Sequence, residues 1–371
     1  MQQRLPIALI LLAVLAACAS TSEPPLRDAE SASTTAAPGI GTAVQVLESY
    51  ISENNAADEL DSLAVWPNER DGAWIIGTAK STHRLVVFDA DSGERLREVG
   101  GKGPASGQFN RPNGVAVFGD VLFVVERDNQ RVQMLSLPGF APIGSFGESE
   151  LRSPYGVWLH ETAPGEVETY ITDSFMQGAK FDVVPPLAQL NQRVRRYRVH
   201  LDGDAKPLVE SLGSFGETAP GAALRMVESI GGDPANDRLL IAEEDRRVGA
   251  TLREYNLAGR YLQRSIPSAL FHAEAEGVAL WMCSVDSGYW IAADQTSPLT
   301  TFHVFDRAAL AYKGSFSGSA TAHTDGIALH ASGTPRFPDG ALFAVHDDKA
   351  VTAFDLREIA QALKLSGDCV R

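Results

Sequence analysis

Short apolar runs recur along this chain, separated by turns rich in Gly, Pro, Asn and Asp, and their length and spacing mark them as strands. The clearest case lies between Met226 and Asp245. There Met226-Val227-Glu228-Ser229-Ile230 and Leu239-Leu240-Ile241-Ala242-Glu243-Glu244-Asp245 flank the turn residues Gly231 to Asp237. That pattern predicts an antiparallel hairpin. The start of its first strand and the end of its second share one end of the sheet, so Glu228 and Glu244 come together. Two carboxylates so placed repel each other unless a cation lies between them.

The hairpin repeats. First strands are expected at Leu63 to Trp66, Gly114 to Val117, Gly156 to Leu159, Ser229 to Gly232, Gly277 to Leu280 and Gly326 to Leu329. Second strands follow at Trp74 to Gly77, Leu122 to Val125, Thr169 to Thr172, Leu239 to Ala242, Tyr289 to Ala292 and Leu342 to Val345. Third strands follow in several units, as at Arg84 to Phe88, Arg131 to Leu135 and Thr301 to Phe305. Repeats of roughly forty to fifty residues built from short antiparallel strands indicate propeller blades, none of which can bury its faces alone. Six such units predict an all-β, six-bladed β-propeller. Phe175 to Arg193 reads as a loop inserted in the long interval between the third and fourth units, Val44 to Ile51 as an outer strand closing the ring, and Leu356 to Leu363 as a short C-terminal helix.

Composition bounds the rest. The chain has 371 residues, 44% of them hydrophobic and 21% charged, and a formal net charge of -15. An acidic balance of that size argues against nucleic acid as a partner, because phosphate backbones are held by Lys and Arg. Arg4, the apolar run Leu5 to Leu15 and Leu15-Ala16-Ala17-Cys18 resemble a bacterial lipoprotein signal. The resemblance implies a signal peptide over 1–17 and lipid attachment at Cys18. It also implies an exported protein on the outer membrane, facing the periplasm of a Gram-negative bacterium and touching the membrane through the anchor alone. Residues 18–42 are rich in Ser, Thr, Ala and Pro and are expected to form a disordered tether, leaving 43–371 as the propeller, expected as a monomer. Cys283 and Cys369 remain, with their pairing open, and no Cys or His spacing suggests zinc.

Applied to all six blades, the hairpin geometry selects a rim. Asp61 or Ser62, Asn113, Tyr155, Glu228, Glu276 and Asp325 precede the first strands; Lys80, Arg127, Asp173, Glu244, Gln295 and Asp347 follow the second. All are expected at one mouth of the central channel, with the basic residues on early blades and most acids on late ones. Carboxylate and amide oxygens without His or Cys suit Ca2+. Facing Lys80 and Arg127, such a cluster leaves room for a phosphate and points to metal-assisted phosphoester hydrolysis. No nucleophilic Ser or Cys with a base is apparent.

At these residues the chain resembles the β-propeller phytases, Ca2+-dependent phosphatases of inositol phosphates. The likeness is most specific at Ile241-Ala242-Glu243-Glu244-Asp245, Glu276-Gly277, Gln295, Thr324-Asp325-Gly326-Ile327 and Phe337-Pro338-Asp339-Gly340. Looser matches at Asp61, Ala64-Val65-Trp66, Lys80, Arg127 and Tyr155-Gly156 extend it over nearly everything after the tether. The resemblance implies a 3-phytase-type enzyme in which Glu228, Glu276 and Asp325 are catalytic, holding Ca2+ and an attacking water. Asp61, Glu244, Gln295 and Asp347 would complete the metal sites, and Lys80, Arg127 and Tyr155 would bind substrate phosphates.

Ser62, Asp173 and Ala350 depart from that pattern, as does the acid-poor Ala320-Thr321-Ala322-His323-Thr324. Fewer anionic ligands weaken Ca2+ binding. A catalytically decayed binding module is therefore one alternative. The second is a lactonase-type enzyme, suggested by the likeness of Gly107 to Val117 to an NHL repeat.

Overall fold

Six antiparallel sheets arise where six hairpins were expected, and in each the paired apolar runs form the inner half. The computed structural model describes residues 42–68, 72–201 and 206–370; the signal and Cys18 lie outside them. Blade 1 runs from Leu60 to Gly100, blade 2 from Pro112 to Phe146, blade 3 from Pro154 to Phe215, blade 4 from Ile230 to Ser265, blade 5 from Ala275 to Ser317 and blade 6 from Ile327 to Asp355. Together they make a six-bladed β-propeller. The innermost strands enclose a central channel of about 490 Å³. Among the described residues, no helix is long and apolar enough to cross a membrane.

Burial explains why the second strands read as unbroken apolar runs. A middle strand is covered on both faces by neighbouring blades, so both sets of alternating side chains are buried. Arg238–Glu243 is buried at every position, whereas the outer strand Arg95–Gly100 is largely exposed. The core is correspondingly divided. Six apolar clusters lie one between each pair of neighbouring blades, such as Ile75 and Phe88 of blade 1 against Phe343 and Val351 of blade 6. No blade completes its core without two partners.

The ring closes differently from the expectation of one outer strand over Val44 to Ile51. Tyr50–Ile51 pairs antiparallel with blade 6, while Val44–Gln45 pairs parallel with Tyr312–Ser317 as a fifth strand on blade 5. Glu48 causes the division. Its carboxylate accepts from Ser319 N and Oγ at 3.0 and 2.7 Å, Ala320 N at 3.0 Å, and Thr321 N and Oγ1 at 2.8 and 2.7 Å. The chain is thereby pinned at the junction of blades 5 and 6, with Val46 buried beside it.

Leu356–Leu363 is helical, as expected. Asp355 caps it by accepting from Arg357 N, and Leu356, Ile359 and Ala360 pack on Phe302, Phe316 and Phe354 between blades 5 and 6. Lys364 ends the helix in a left-handed conformation. The chain then returns to blade 5, where Cys369 forms a disulfide with Cys283, 86 residues earlier. Phe175 to Arg193 is an insertion between the second and third strands of blade 3, with a 3-10 turn at Leu187–Gln192.

Burial alone would raise the Glu48 pKa, but hydrogen bonds from Ser319 and Thr321 override it and hold it at about 2. A depressed folded value contributes stability above the unfolded value of 4.5, lost as pH falls toward 2. Glu48→Gln should therefore destabilise the protein at neutral pH by roughly 1 kcal/mol, given solvent screening of a half-exposed group. Denaturant titrations should show that deficit shrinking across the acid window.

Candidate metal and phosphate site at the channel mouth

The mouth of the channel is shaped by a bulge that begins four of the six blades. In blade 3, Pro154 pairs with Asp173 and Val157 with Ile171, so Tyr155 and Gly156 together oppose Thr172. Asp61-Ser62, Asn113-Gly114 and Glu276-Gly277 occupy the same place in blades 1, 2 and 5. A bulge bends the strand and re-aims its side chains. Here it turns the first residue of each pair to the rim and brings the second against the next blade.

That second residue is usually glycine because no Cβ fits. A Cβ on Gly156 would lie 2.2 Å from the Glu228 carbonyl oxygen, and one on Gly326 would lie 2.4 Å from that of Asp61. Threonine hydroxyls lock the same contacts. Thr172 Oγ1 accepts from Gly156 N and donates to the Glu228 carbonyl, both at 2.7 Å. Thr78 Oγ1 accepts from Ser62 N at 3.0 Å and donates to the Asn113 carbonyl at 2.6 Å.

At the ends of the second strands, consecutive residues divide their work. Glu126, Asp173, Glu243 and Asp294 end those strands, and each carboxylate accepts from backbone amides of the segment entering its blade. His346 Nδ1 accepts from Ala322 N in the equivalent place in blade 6. In the other blades the following residues, Lys80, Arg127, Ser174, Glu244 and Gln295, hold the rim position. Asp173, placed on the rim by sequence spacing, is instead a buried loop clamp, and Ser174 stands at the rim in blade 3.

Glu228, Glu244 and Glu276 converge, each offering a carboxylate oxygen within 4.8 Å of the others. Burial, then Asp61 and Asp325, push Glu228 well above the usual carboxylate range. Glu244 is raised by burial and then by Glu228 and Glu276, and Glu276 by burial and then by Glu228 and Asp325. Asp325 is pushed up to about 7, by burial first and Asp61 next, with Lys80 opposing. Glu244 Oε1 is buried without a hydrogen-bond partner, and so are both polar side-chain atoms of Asn113. Negative charge here exceeds what the protein compensates, and every available donor is oxygen, the composition that hard cations take.

Lys80 supplies part of the balance. Its Nζ lies 2.9 Å from Asp61 and 3.0 Å from Asp325; burial works against its charge, but these carboxylates hold its pKa above the ordinary value. Gln295 donates to Asp325 Oδ1 through Nε2. Tyr155 stands beside Glu228 and Arg127, and burial, then Glu228, raise its pKa well above the ordinary value, so the hydroxyl keeps its proton. Arg127 also pairs with Asp128 at 2.8 Å.

Asp61, Lys80, Tyr155, Glu228, Glu244, Glu276, Gln295 and Asp325 are thus brought together, with Arg127 beside them. Asp347 is not part of the group: it is paired with Lys349 at the surface. Its neighbour Asp348, which spacing passed over, is the residue whose charge acts on Asp325. Both have left-handed backbones, at φ 53° and 58°, and the doubled acid is the only sequence signal they leave.

Arg127, Tyr155 and Glu228 also border a cavity of about 1030 Å³, walled on its outer side by the blade 3 insertion, including Lys180. No protein-family model matches this chain, and no curated protein does. Among solved structures, Kuenenia stuttgartiensis hydrazine synthase aligns at a TM-score of 0.47 and 14% identity, over 85% of this chain and 81% of that one. Similarity at that level carries nothing across about chemistry.

Two substitutions probe the mouth without any ligand. Gly156→Ala forces its Cβ into the Glu228 carbonyl and should cost on the order of 2 kcal/mol in denaturant titrations. Glu244→Gln should do the reverse in chelator. A raised folded pKa means stability that is full below the unfolded value of 4.5 and lost as pH rises, so removing the charge should raise the melting temperature at neutral pH. At about pH 4, where the carboxyl is protonated in the native state, the two proteins should melt alike.

Proposed function

We propose that this propeller is a Ca2+-dependent phosphomonoester hydrolase acting on phytate or related inositol phosphates. The observation that carries the reading is the group of three mutually repelling carboxylates, Glu228, Glu244 and Glu276, set beside the phosphate-suited pair Arg127 and Tyr155. The residues fit a hard cation: Glu244 Oε1 lacks a partner, and the carboxyls of Glu228, Glu244 and Glu276 are all held above the usual range. Asp61, Glu228, Glu244, Glu276, Gln295 and Asp325 would hold the Ca2+. When bound, the ion supplies positive charge for the transferring phosphoryl group and makes water more acidic.

The chain's own groups do the positioning. Arg127 presents a planar donor fork suited to two phosphoryl oxygens, and Tyr155 Oη keeps a proton it can share with a third. Lys80 keeps Asp61 and Asp325 in place between blades 1 and 6. The same reading includes export and anchoring through Cys18, supported by the Cys283–Cys369 disulfide, a bond type that persists outside the cytosol.

One observation favours a binding module instead. Lys80 is held by two carboxylates, and Ser174, not a lysine, stands at the blade 3 rim, which leaves less free positive charge for a substrate.

Purified protein incubated with phytate should release phosphate with Ca2+ and stop on addition of chelator; silence in both conditions would favour the binding module. Glu276→Gln should lower the rate at least about 100-fold. The same variant should melt no lower than the parent in chelator, because it deletes a charge that the metal-free protein holds at a cost.

A further inference from the structure

Part of the cavity beside the acid cluster is unsuited to phosphate. One side carries Tyr155, Glu228 and Arg127; the facing side is the blade 3 insertion, with Phe175, Met176 and Phe181. That wall is fixed. Phe175 is 5% exposed and lies between two guanidinium groups, Arg152 at 3.1 Å and Arg193 at 4.5 Å from its ring centre. Arg193, fully buried, donates to the carbonyl oxygens of Asp173, Phe175, Leu224 and Arg225. These bonds tie the insertion to the segment that leads into Glu228.

Beyond Phe175, Gln177 and Val183 exchange backbone hydrogen bonds at 2.7 and 3.0 Å, closing a short hairpin with Lys180 and Phe181 near its tip. Phe181 is 76% exposed and has φ 53°. A left-handed position in a turn ordinarily takes Gly, Asn or Asp, and a bulky residue there is uncommon. A strained, exposed aromatic at the edge of a cavity is a feature that folding does not demand.

The charges narrow the ligand further. Arg127 is paired with Asp128 at 2.8 Å, and Arg247 with Asp245 at 2.7 Å. Lys180 and Arg152, which also lines the cavity, make no ion pair among the described residues. Beside these cations the cavity adds aromatic and thioether surface, which a phosphate group by itself does not use.

We infer, building on the phosphatase reading, that the site also takes monophosphate esters of flat aromatic alcohols, aryl or nucleoside, and binds them more tightly than monophosphate esters of small aliphatic alcohols. The phosphoryl group faces Arg127 and Tyr155, and the ring lies against Phe181 and Met176. A cavity of about 1030 Å³ has room for both.

Calorimetric titration of the full-length protein in Ca2+ tests this with 1-naphthyl phosphate, glycerol 2-phosphate and phytate. The naphthyl ester should bind about tenfold more tightly than the glycerol ester, the size of one good aromatic contact. Phe181→Ser should abolish most of that difference, and Phe181→Trp should retain it. Equal affinity for the two esters, or equal weakening of both esters in Phe181→Ser, would overturn the inference. Selective naphthyl binding with no phosphate released from any of the three would instead remove the phosphatase reading and leave the aromatic ester site standing.

Discussion

Everything at the channel mouth depends on how closely the innermost strands of neighbouring blades approach. Gly156 meets the Glu228 carbonyl and Gly326 meets that of Asp61 at distances where a methyl group has no room, and threonine hydroxyls bridge two of the junctions. These contacts draw the rim residues of six separate sheets into a circle small enough for carboxylates to interact directly. A wider ring would leave the same acids solvated and their pKa values ordinary.

Such a circle is electrostatically unfavourable, and the architecture explains how the protein tolerates it. The apolar clusters that hold the blades together lie between the sheets, and each is shared by two neighbours. Closure is reinforced by the Glu48 carboxylate at the junction of blades 5 and 6 and by the Cys283–Cys369 disulfide. Burial in these clusters supplies the stability that offsets the repulsion at the rim.

The division of work between adjacent residues shows where sequence reading reaches its limit. In blade 4, Glu243 and Glu244 are identical in chemistry and consecutive, yet one clamps the backbone amides of Arg225 and Met226 and the other faces the acid cluster. Spacing picked the right member there and for Lys80, Arg127 and Gln295. It picked the clamp in blade 3, where Asp173 precedes the true rim residue Ser174, and in blade 6 it chose Asp347 over the inward-acting Asp348. Side-chain direction alternates along a strand, so a shift of one residue exchanges the two roles.

The linear pattern of apolar runs and turns was enough to establish six blades, their strand order, the inserted loop, the C-terminal helix and the meeting of Glu228, Glu244, Glu276 and Asp325. Those features follow from local hydrogen bonding and from hairpin connectivity, which neighbouring residues specify. Tertiary structure decided the rest: the splitting of residues 44 to 51 between two blades, the joining of Cys283 to Cys369, and the phase of the last residue in each second strand. It also set the aromatic wall opposite Tyr155. Each of these depends on groups distant in sequence, Glu48 on Thr321 or Arg193 on Leu224, whose proximity exists only once the ring has closed.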